Sequence, residues 1–397
     1  MASSATLLES SSSFQMAELD IISAEVFACK SNAPQIIWAK DMSPMFEANI
    51  IVKLITESGV ECVGGVLIPT EHYYDYSVIE SCRNLFPEIL GKNLEQRSKL
   101  TEFMLTRCVP LNPLAVSSID IAMWDGYAKS IDKPLCDVLG RKKDSIASYA
   151  STPLFHSIDE YVNFVKNLEA QHFHTVKFHT WCDVEFDLQM VSKVCPLFPT
   201  MKFMIDCEQR YNRKDALLLG QKLDELNFIW FEAPFNDFDW ESYQWLRPQI
   251  NTHVIGAGNS ILNPFQIEQS LKLDVFHHAR VDTTYVGGIT KVLEVMKIAK
   301  NFNKNTELQS WSYPLGQAAN LHIMLSHDNC DYFEQVVPFE DHEHGAKTFI
   351  RTNDKGEVTV NPDPGLGIEI DWDVVHRDWY SHLKLGPNGL ESKIRSI

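Results

Sequence analysis

The sequence predicts an α/β protein, a (β/α)8-type barrel preceded by an N-terminal α+β domain. Three observations predict it. From about Ser145 onward, short β-branched or aromatic runs recur, each followed by a turn and an amphipathic helical stretch. There are eight such runs, and from Lys177 on the polar residues at their ends stand 23 to 29 residues apart. That length holds one strand, one helix and two loops. No Gly-rich phosphate loop follows the first run, as an open doubly wound sheet would want.

In chain order, residues 1–16 lack the basic start and apolar core of a signal peptide. They read as a disordered tail or an expression remnant, with Met16 as a candidate start. Residues 17–140 make the N-terminal α+β domain. Leu19–Ala28, Ala48–Thr56 and Val63–Ile68 read as strands, the last reached through a turn at Gly59. From His72 to Lys129 apolar residues recur at three- and four-residue spacing, for example Leu100, Phe103, Met104 and Cys108, which predicts helices. Residues 141–345 hold the barrel runs: Ile146–Ala150, Thr175–His179, Lys202–Asp206, Phe228–Glu232, His253–Ala257, His278–Asp282, Thr306–Ser310 and Tyr332–Val336. Residues 346–397 open on turn-rich text (Asn361-Pro-Asp-Pro-Gly-Leu-Gly367) and are expected to pack back on the N-terminal domain.

Composition narrows the functional classes. The chain has 397 residues, is 45% hydrophobic and 22% charged, and so has the balance of an ordinary globular protein. Its formal net charge of −18 repels phosphate backbones and anionic lipid surfaces, which argues against nucleic acid and membrane as partners. No apolar run approaches the ~20 residues that span a bilayer. The nine cysteines are scattered without a C-x-x-C pair, against a zinc finger or a thioredoxin-like site and in keeping with reduced thiols in the cytoplasm. A small anionic substrate remains compatible, because local cations or a metal reverse the field inside a pocket.

In a barrel, residues at the C-terminal strand ends point into the active-site mouth. Here they are Lys177 and His179, Asp206 and Glu208, Glu232, Asn259, Asp282, Gln309 and Glu334. Any one of them reads blandly as a helix N-cap or a solvated strand end. A polar residue at every exit from the second strand to the eighth does not. Asp206, Glu232 and Asn259 offer oxygen from three consecutive strands, a donor set that suits Mg2+.

At this point the sequence resembles the mandelate racemase–muconate lactonizing branch of the enolase superfamily. The resemblance rests on Ala115-Val-Ser-Ser-Ile-Asp-Ile-Ala-Met-Trp-Asp125 with Lys129 and Pro134-Leu-Cys-Asp-Val-Leu-Gly140. It continues through Phe231-Glu-Ala-Pro234, Val286-Gly-Gly-Ile-Thr290 and Ala318-Ala-Asn-Leu-His322. It implies a capping domain over a modified barrel, an essential Mg2+, a homo-oligomer, and abstraction of the proton alpha to a carboxylate. Asp206 and Glu232 then resemble the first two metal ligands. Lys177 resembles the lysine that touches the substrate carboxylate, and Glu334 a protonated hydrogen-bond donor to its other side.

Three departures shape the expected chemistry. The third ligand position holds Asn259, which keeps a carbonyl oxygen but loses a charge, so weaker Mg2+ binding is expected. The second lysine of the strand-two K-x-K pattern is His179, a base available near neutrality. Asp282 is kept, but its histidine partner on strand seven is Gln309, which transfers no proton and is expected to hydrogen-bond substrate. Racemisation needs acid/base groups on both faces of the carbon. A one-face β-elimination, with Lys177 or His179 as base, does not. The leading expectation is therefore a Mg2+-dependent dehydratase of an acid sugar or related hydroxy acid. The alternatives are a racemase, epimerase or cycloisomerase of a similar carboxylate, and an inactive relative that binds one. Trp38, His72, Tyr73 and Tyr74 are candidates for a substrate lid.

Overall fold

Strand β1 (Ile21–Lys30) pairs antiparallel with β2 (Phe46–Thr56), and β2 with β3 (Glu61–Thr70). The computed structural model describes residues 18–31, 35–40, 42–70, 76–107, 111–260 and 263–395. The expected lid residues His72, Tyr73 and Tyr74, and the tail through residue 17, lie outside these. Helices Ser77–Ile89, Arg97–Arg107 and Pro113–Ser130 follow the three strands. The last packs so closely on β3 that a Cβ at Gly64 would stand 2.3 Å from the Ser118 carbonyl and 2.4 Å from the Ala122 nitrogen. Only glycine allows that approach.

The eight parallel strands of the second half are β4 (Ile146–Ser151), β5 (Thr175–His179), β6 (Lys202–Asp206), β7 (Trp230–Glu232), β8 (His253–Ile255), β9 (Ala279–Val281), β10 (Thr306–Leu308) and β11 (Tyr332–Val336). They stand where the eight sequence runs predict them. Ladders run continuously in the order β11-β4-β5-β6-β7-β8, while β9 and β10 pair separately. Strands β7 to β10 are shorter than their runs for identifiable reasons. The Asp282 side chain caps the helix turn Thr283–Val286, and the Ser310 N–H donates to the Glu334 carboxylate instead of to a ladder. Side-chain caps also start the helices after β4, β5, β6, β7 and β8, at Ser157, Asp183, Asn212, Asp239 and Asn263.

The C-terminal segment holds more structure than its turn-rich text suggests. Strand β12 (Glu357–Val358) pairs antiparallel with β4. After helix Trp372–Asp378, β13 (Trp379–Gly386) pairs antiparallel with β1 and β14 (Gly389–Ile394) pairs with β13. The N-terminal sheet thus reads β14-β13-β1-β2-β3.

Inside the barrel, Tyr149, Met204, Trp230 and Ile255 form a buried apolar plug. Met204 and Trp230 precede Asp206 and Glu232 by two residues, one layer lower on the inward face. The plug is the floor on which the polar layer stands.

Candidate active site

Parallel register sets the polar layer. His179 lies beside Asp206, and Asp206 beside Glu232. Lys177 is two residues below His179 and so shares its face. Its ammonium stands 3.3 Å from Asp206 Oδ2, 3.1 Å from Glu232 Oε2 and 2.9 Å from Glu334 Oε1. Arg280, on β9, reaches Glu232 Oε1 through Nε at 3.0 Å and Nη2 at 2.9 Å. It also meets the Tyr149 hydroxyl at 3.1 Å and Glu334 Oε2 at 3.3 Å.

Three carboxylates therefore face two cations in a fully buried layer. Burial alone raises every carboxyl pKa there. At Glu232 burial wins over Arg280 and Lys177 and pushes it up to about 7. At Asp206 burial loses to the positive charges that face it, Lys177 above all, which hold it well below the usual range. Glu334 is likewise brought down to about 2, since Lys177 and Arg280 outweigh burial. The expectation of a protonated Glu334 is thereby corrected. With Lys177, Arg280 and the Ser310 N–H all donating to it, the ionised form is the stable one.

His179 is buried, with Nδ1 2.6 Å from the Thr152 carbonyl oxygen. A carbonyl only accepts, so Nδ1 carries the proton and Nε2 keeps its lone pair in the neutral ring. Nε2 lies 3.5 Å from Asp206 Oδ2 and 3.7 Å from Glu208 Oε1. The indoles of Trp38 and Trp311 flank the ring at 5.0 and 5.5 Å. Glu208 and Gln209 have φ of 46° and 63°, an unfavourable backbone of the kind that gathers at functional sites. The turn brings the Glu208 N–H onto Asp206 Oδ1 at 3.0 Å. Burial and the Asp206 charge push the Glu208 carboxyl up to about 8.

These groups open into a cavity of about 500 Å³, within the range of small-molecule sites. Lys177, His179, Glu208, Asn259 and Gln309 line its barrel side. Asn259 follows Gly258, whose φ of +84° and 2.6 Å approach to Arg280 Cγ exclude a side chain there. Gln309 Oε1 is buried without a hydrogen-bond partner among the described residues, an acceptor left for a ligand hydroxyl. Asp282 does not line the cavity. Its Oδ1 accepts from the Thr284 N–H at 2.8 Å and Asn320 Nδ2 at 3.0 Å. The expected catalytic aspartate thus serves as a buried helix cap.

The geometry of the donor set suits a divalent cation. Oxygens of Asp206 and Glu232 already converge on one positive charge, the Lys177 ammonium. Ligand atoms of His179, Asp206 and Glu208 lie within 4.8 Å of one another. Among the described residues, Asn259 Oδ1 accepts the Ser260 hydroxyl, at 3.2 Å. Hard oxygen donors around an anion-rich mouth fit Mg2+.

Sequence reasoning did not single out Glu47, Thr152, Trp311 or Arg280. Their roles arise from contacts between distant segments, which no local spacing encodes. Glu208 was visible at a strand exit but received no role. Of the expected lid residues, Trp38 does line the cavity.

Two family models match the chain: mandelate racemase / muconate lactonizing enzyme, N-terminal domain, over residues 30–140, and enolase C-terminal domain-like over residues 160–374. A solved structure of mandelate racemase/muconate lactonizing enzyme type from Pseudovibrio sp. superposes with a TM-score of 0.90 and 35% identity, covering 92% of this chain and 99% of that one. o-Succinylbenzoate synthase of Listeria innocua serovar 6a is 25% identical over 62% of this chain, a match spanning 65% of that enzyme, just under two thirds. L-Talarate/galactarate dehydratase of Salmonella typhimurium LT2 is 28% identical over 51% of this chain and 54% of its own length.

Proposed function

Since the chain belongs to the mandelate racemase/muconate lactonizing enzyme family of the enolase superfamily, we propose that it is a Mg2+-dependent lyase. It removes the proton alpha to a carboxylate and eliminates water from an acid sugar or related hydroxy acid. Asp206, Glu232 and the amide oxygen of Asn259 would hold the ion. When bound, Mg2+ supplies positive charge beside the carboxylate oxygens, where negative charge develops as the alpha proton leaves.

The chain's own residues divide the remaining work. Lys177 offers its ammonium to the substrate carboxylate from the barrel floor. His179 takes the alpha proton at Nε2, and the imidazolium that results is stabilised by Asp206 beside it. The electron pair left on the alpha carbon forms the new double bond as the β-hydroxyl departs, and the His179 imidazolium returns the proton to that hydroxyl, so that it leaves as water. Gln309 accepts a hydrogen bond from a substrate hydroxyl. The apolar flanks Trp38 and Trp311 keep bulk water from the reacting carbon.

The observation that supports this reading most is the fixed tautomer of His179, with its free lone pair beside Lys177. The off-cavity position of Asp282 favours elimination over racemisation, because it leaves the opposite face of the carbon without a second proton carrier from β9. The test is incubation with a panel of sugar acids in D2O, with Mg2+, followed by NMR. Loss of water to a 2-keto-3-deoxy acid that carries solvent deuterium at the beta carbon is expected. Exchange with retention of the skeleton supports an isomerase instead, and silence across the panel supports a carboxylate-binding protein.

A further inference from the structure

The cavity has two walls of opposite character. The barrel wall holds the cations Lys177 and Arg210, His179, the Glu208 carboxyl group and several amide side chains. The wall from the N-terminal domain consists, among the described residues, of Trp38, Met42, Met45, Glu47 and Pro69. It presents no cation there. Its one charged group is the Glu47 carboxylate, on β2, with a side chain 1% exposed. One nearby donor is already committed to that carboxylate, and neither Glu47 Oε2 nor His342 Nδ1 makes a hydrogen bond among the described residues. The Trp311 Nε1–H donates to Glu47 Oε1 at 3.2 Å, and His342 Nδ1 lies 3.0 Å from Oε2. Lys40, the cation closest in sequence, is an exposed residue that lies 3.6 Å from Asp183.

A substrate whose reacting carboxylate sits over Lys177 and whose chain runs outward from the barrel brings its other end to this wall. A second carboxylate there would meet thioethers, an indole and the buried Glu47 carboxyl group. Coulomb repulsion and desolvation both oppose it. A methyl or methylene end would instead find Met42, Met45 and Pro69 as contact surface.

We propose that the substrate is a monocarboxylate, a polyhydroxy acid whose remote end is uncharged and weakly polar, best a deoxy terminus, and that Glu47 with the apolar wall rejects diacids. The assignment rests on the reading given under Proposed function and refines its substrate class.

The test uses six-carbon acids in three matched series over their stereoisomers: 6-deoxyaldonates, aldonates and aldarates. Binding to the full chain is read by quenching of the Trp38 and Trp311 fluorescence, and reaction by alpha-proton exchange in D2O. The deoxy acid of the preferred stereochemistry should bind about tenfold tighter than the matching aldonate, within the roughly 100-fold by which an apolar pocket can reject an added hydroxyl. The aldarate should bind weakest. Glu47→Gln should narrow the aldarate gap, and Met45→Arg, which places a cation on the wall, should reverse the order. An aldarate that binds as tightly as the best monoacid to the unaltered protein overturns the proposal, and exchange in that experiment would leave the lyase reading standing. Selective binding of deoxy acids with no exchange on any acid would do the reverse. Should Glu47→Gln fail to fold, the response of Met45→Arg decides.

Discussion

Arg280 holds Glu232 from the barrel interior, its Nε and Nη2 both within 3.0 Å of Oε1. Neither group is visible to solvent. Such a pair adds little net stability as a pair, but breaking it strands the surviving charge in a low-dielectric layer. Arg280→Met is therefore expected to cost about 3–5 kcal/mol in denaturant unfolding. Arg280→Lys should recover only part of the loss, because one ammonium cannot serve Glu232, Glu334 and the Tyr149 hydroxyl together. A loss within error of zero for Arg280→Met would show that the buried carboxylates take up protons and need no counter-charge.

His179 and Thr152 support a second prediction. The 2.6 Å contact between His179 Nδ1 and the Thr152 carbonyl fixes the ring so that Nε2 faces the cavity. His179→Asn keeps a polar side chain but no proton acceptor of comparable basicity. Alpha-proton exchange should fall by roughly 100- to 10,000-fold, the usual weight of a general base, with the melting temperature little changed. Retained exchange would transfer the role to Lys177.

How far the sequence discloses this molecule depends on how local each signal is. Strands β5, β6 and β11 coincide residue for residue with their sequence runs, because each is an unbroken β-forming run closed by a turn. The hairpin of β13 and β14 was hidden. Its pairing partner β1 lies some 350 residues upstream, and Trp379–Gly386 alternates only weakly between buried and exposed positions. In the site, Lys177 and His179 were legible from their period-two placement. Asp282 shows how such a residue serves two readings: its Oδ1 caps the next helix turn, while its Oδ2 is buried without a hydrogen-bond partner among the described residues. The protonation state of Glu334 depends on Arg280, whose inward direction follows from β9 but whose partners come from β7 and β11. Glu47 and Trp311 are 264 positions apart, and nothing in either neighbourhood announces the contact.

His322 links acid sensitivity to the seam between the two halves. Buried in helix Pro314–Leu325, it accepts the Cys136 N–H at Nδ1 (3.0 Å) and donates from Nε2 to the Leu366 carbonyl (3.2 Å). Burial, opposed only in part by the Leu366 carbonyl, lowers its pKa to about 4. A histidine near 6.5 in the unfolded chain then binds more protons unfolded than folded between those two values. Stability is full above about 6.5 and is lost as the pH falls toward 4, by on the order of 3 kcal/mol from this residue. Unfolding free energies of the wild type and His322→Gln, measured from pH 4 to 7, should converge as the pH falls. A constant difference across that range would show that His322 stays neutral in both states.

Asn259 offers the sharpest test of the metal assignment. Its side chain stands on the cavity wall past β8, and among the described residues Oδ1 meets the Ser260 hydroxyl. If that oxygen is the third ligand, Asn259→Asp keeps the geometry and adds one negative charge in direct contact with a divalent ion. Coulomb attraction at such a distance amounts to several kcal/mol even at an effective dielectric of ~20. Part of that gain is offset by repulsion from Asp206 and Glu232. Calorimetric titration with MgCl2 should therefore show affinity higher by roughly tenfold or more. Unchanged affinity would remove Asn259 from the ligand set. The same titration on Glu208→Gln then identifies the replacement, because Glu208 is the other carboxylate whose oxygen lies within 4.8 Å of the Asp206 ligand atom. A variant that loses Mg2+ there, while Asn259→Asp does not gain it, would place the third ligand on the turn after β6.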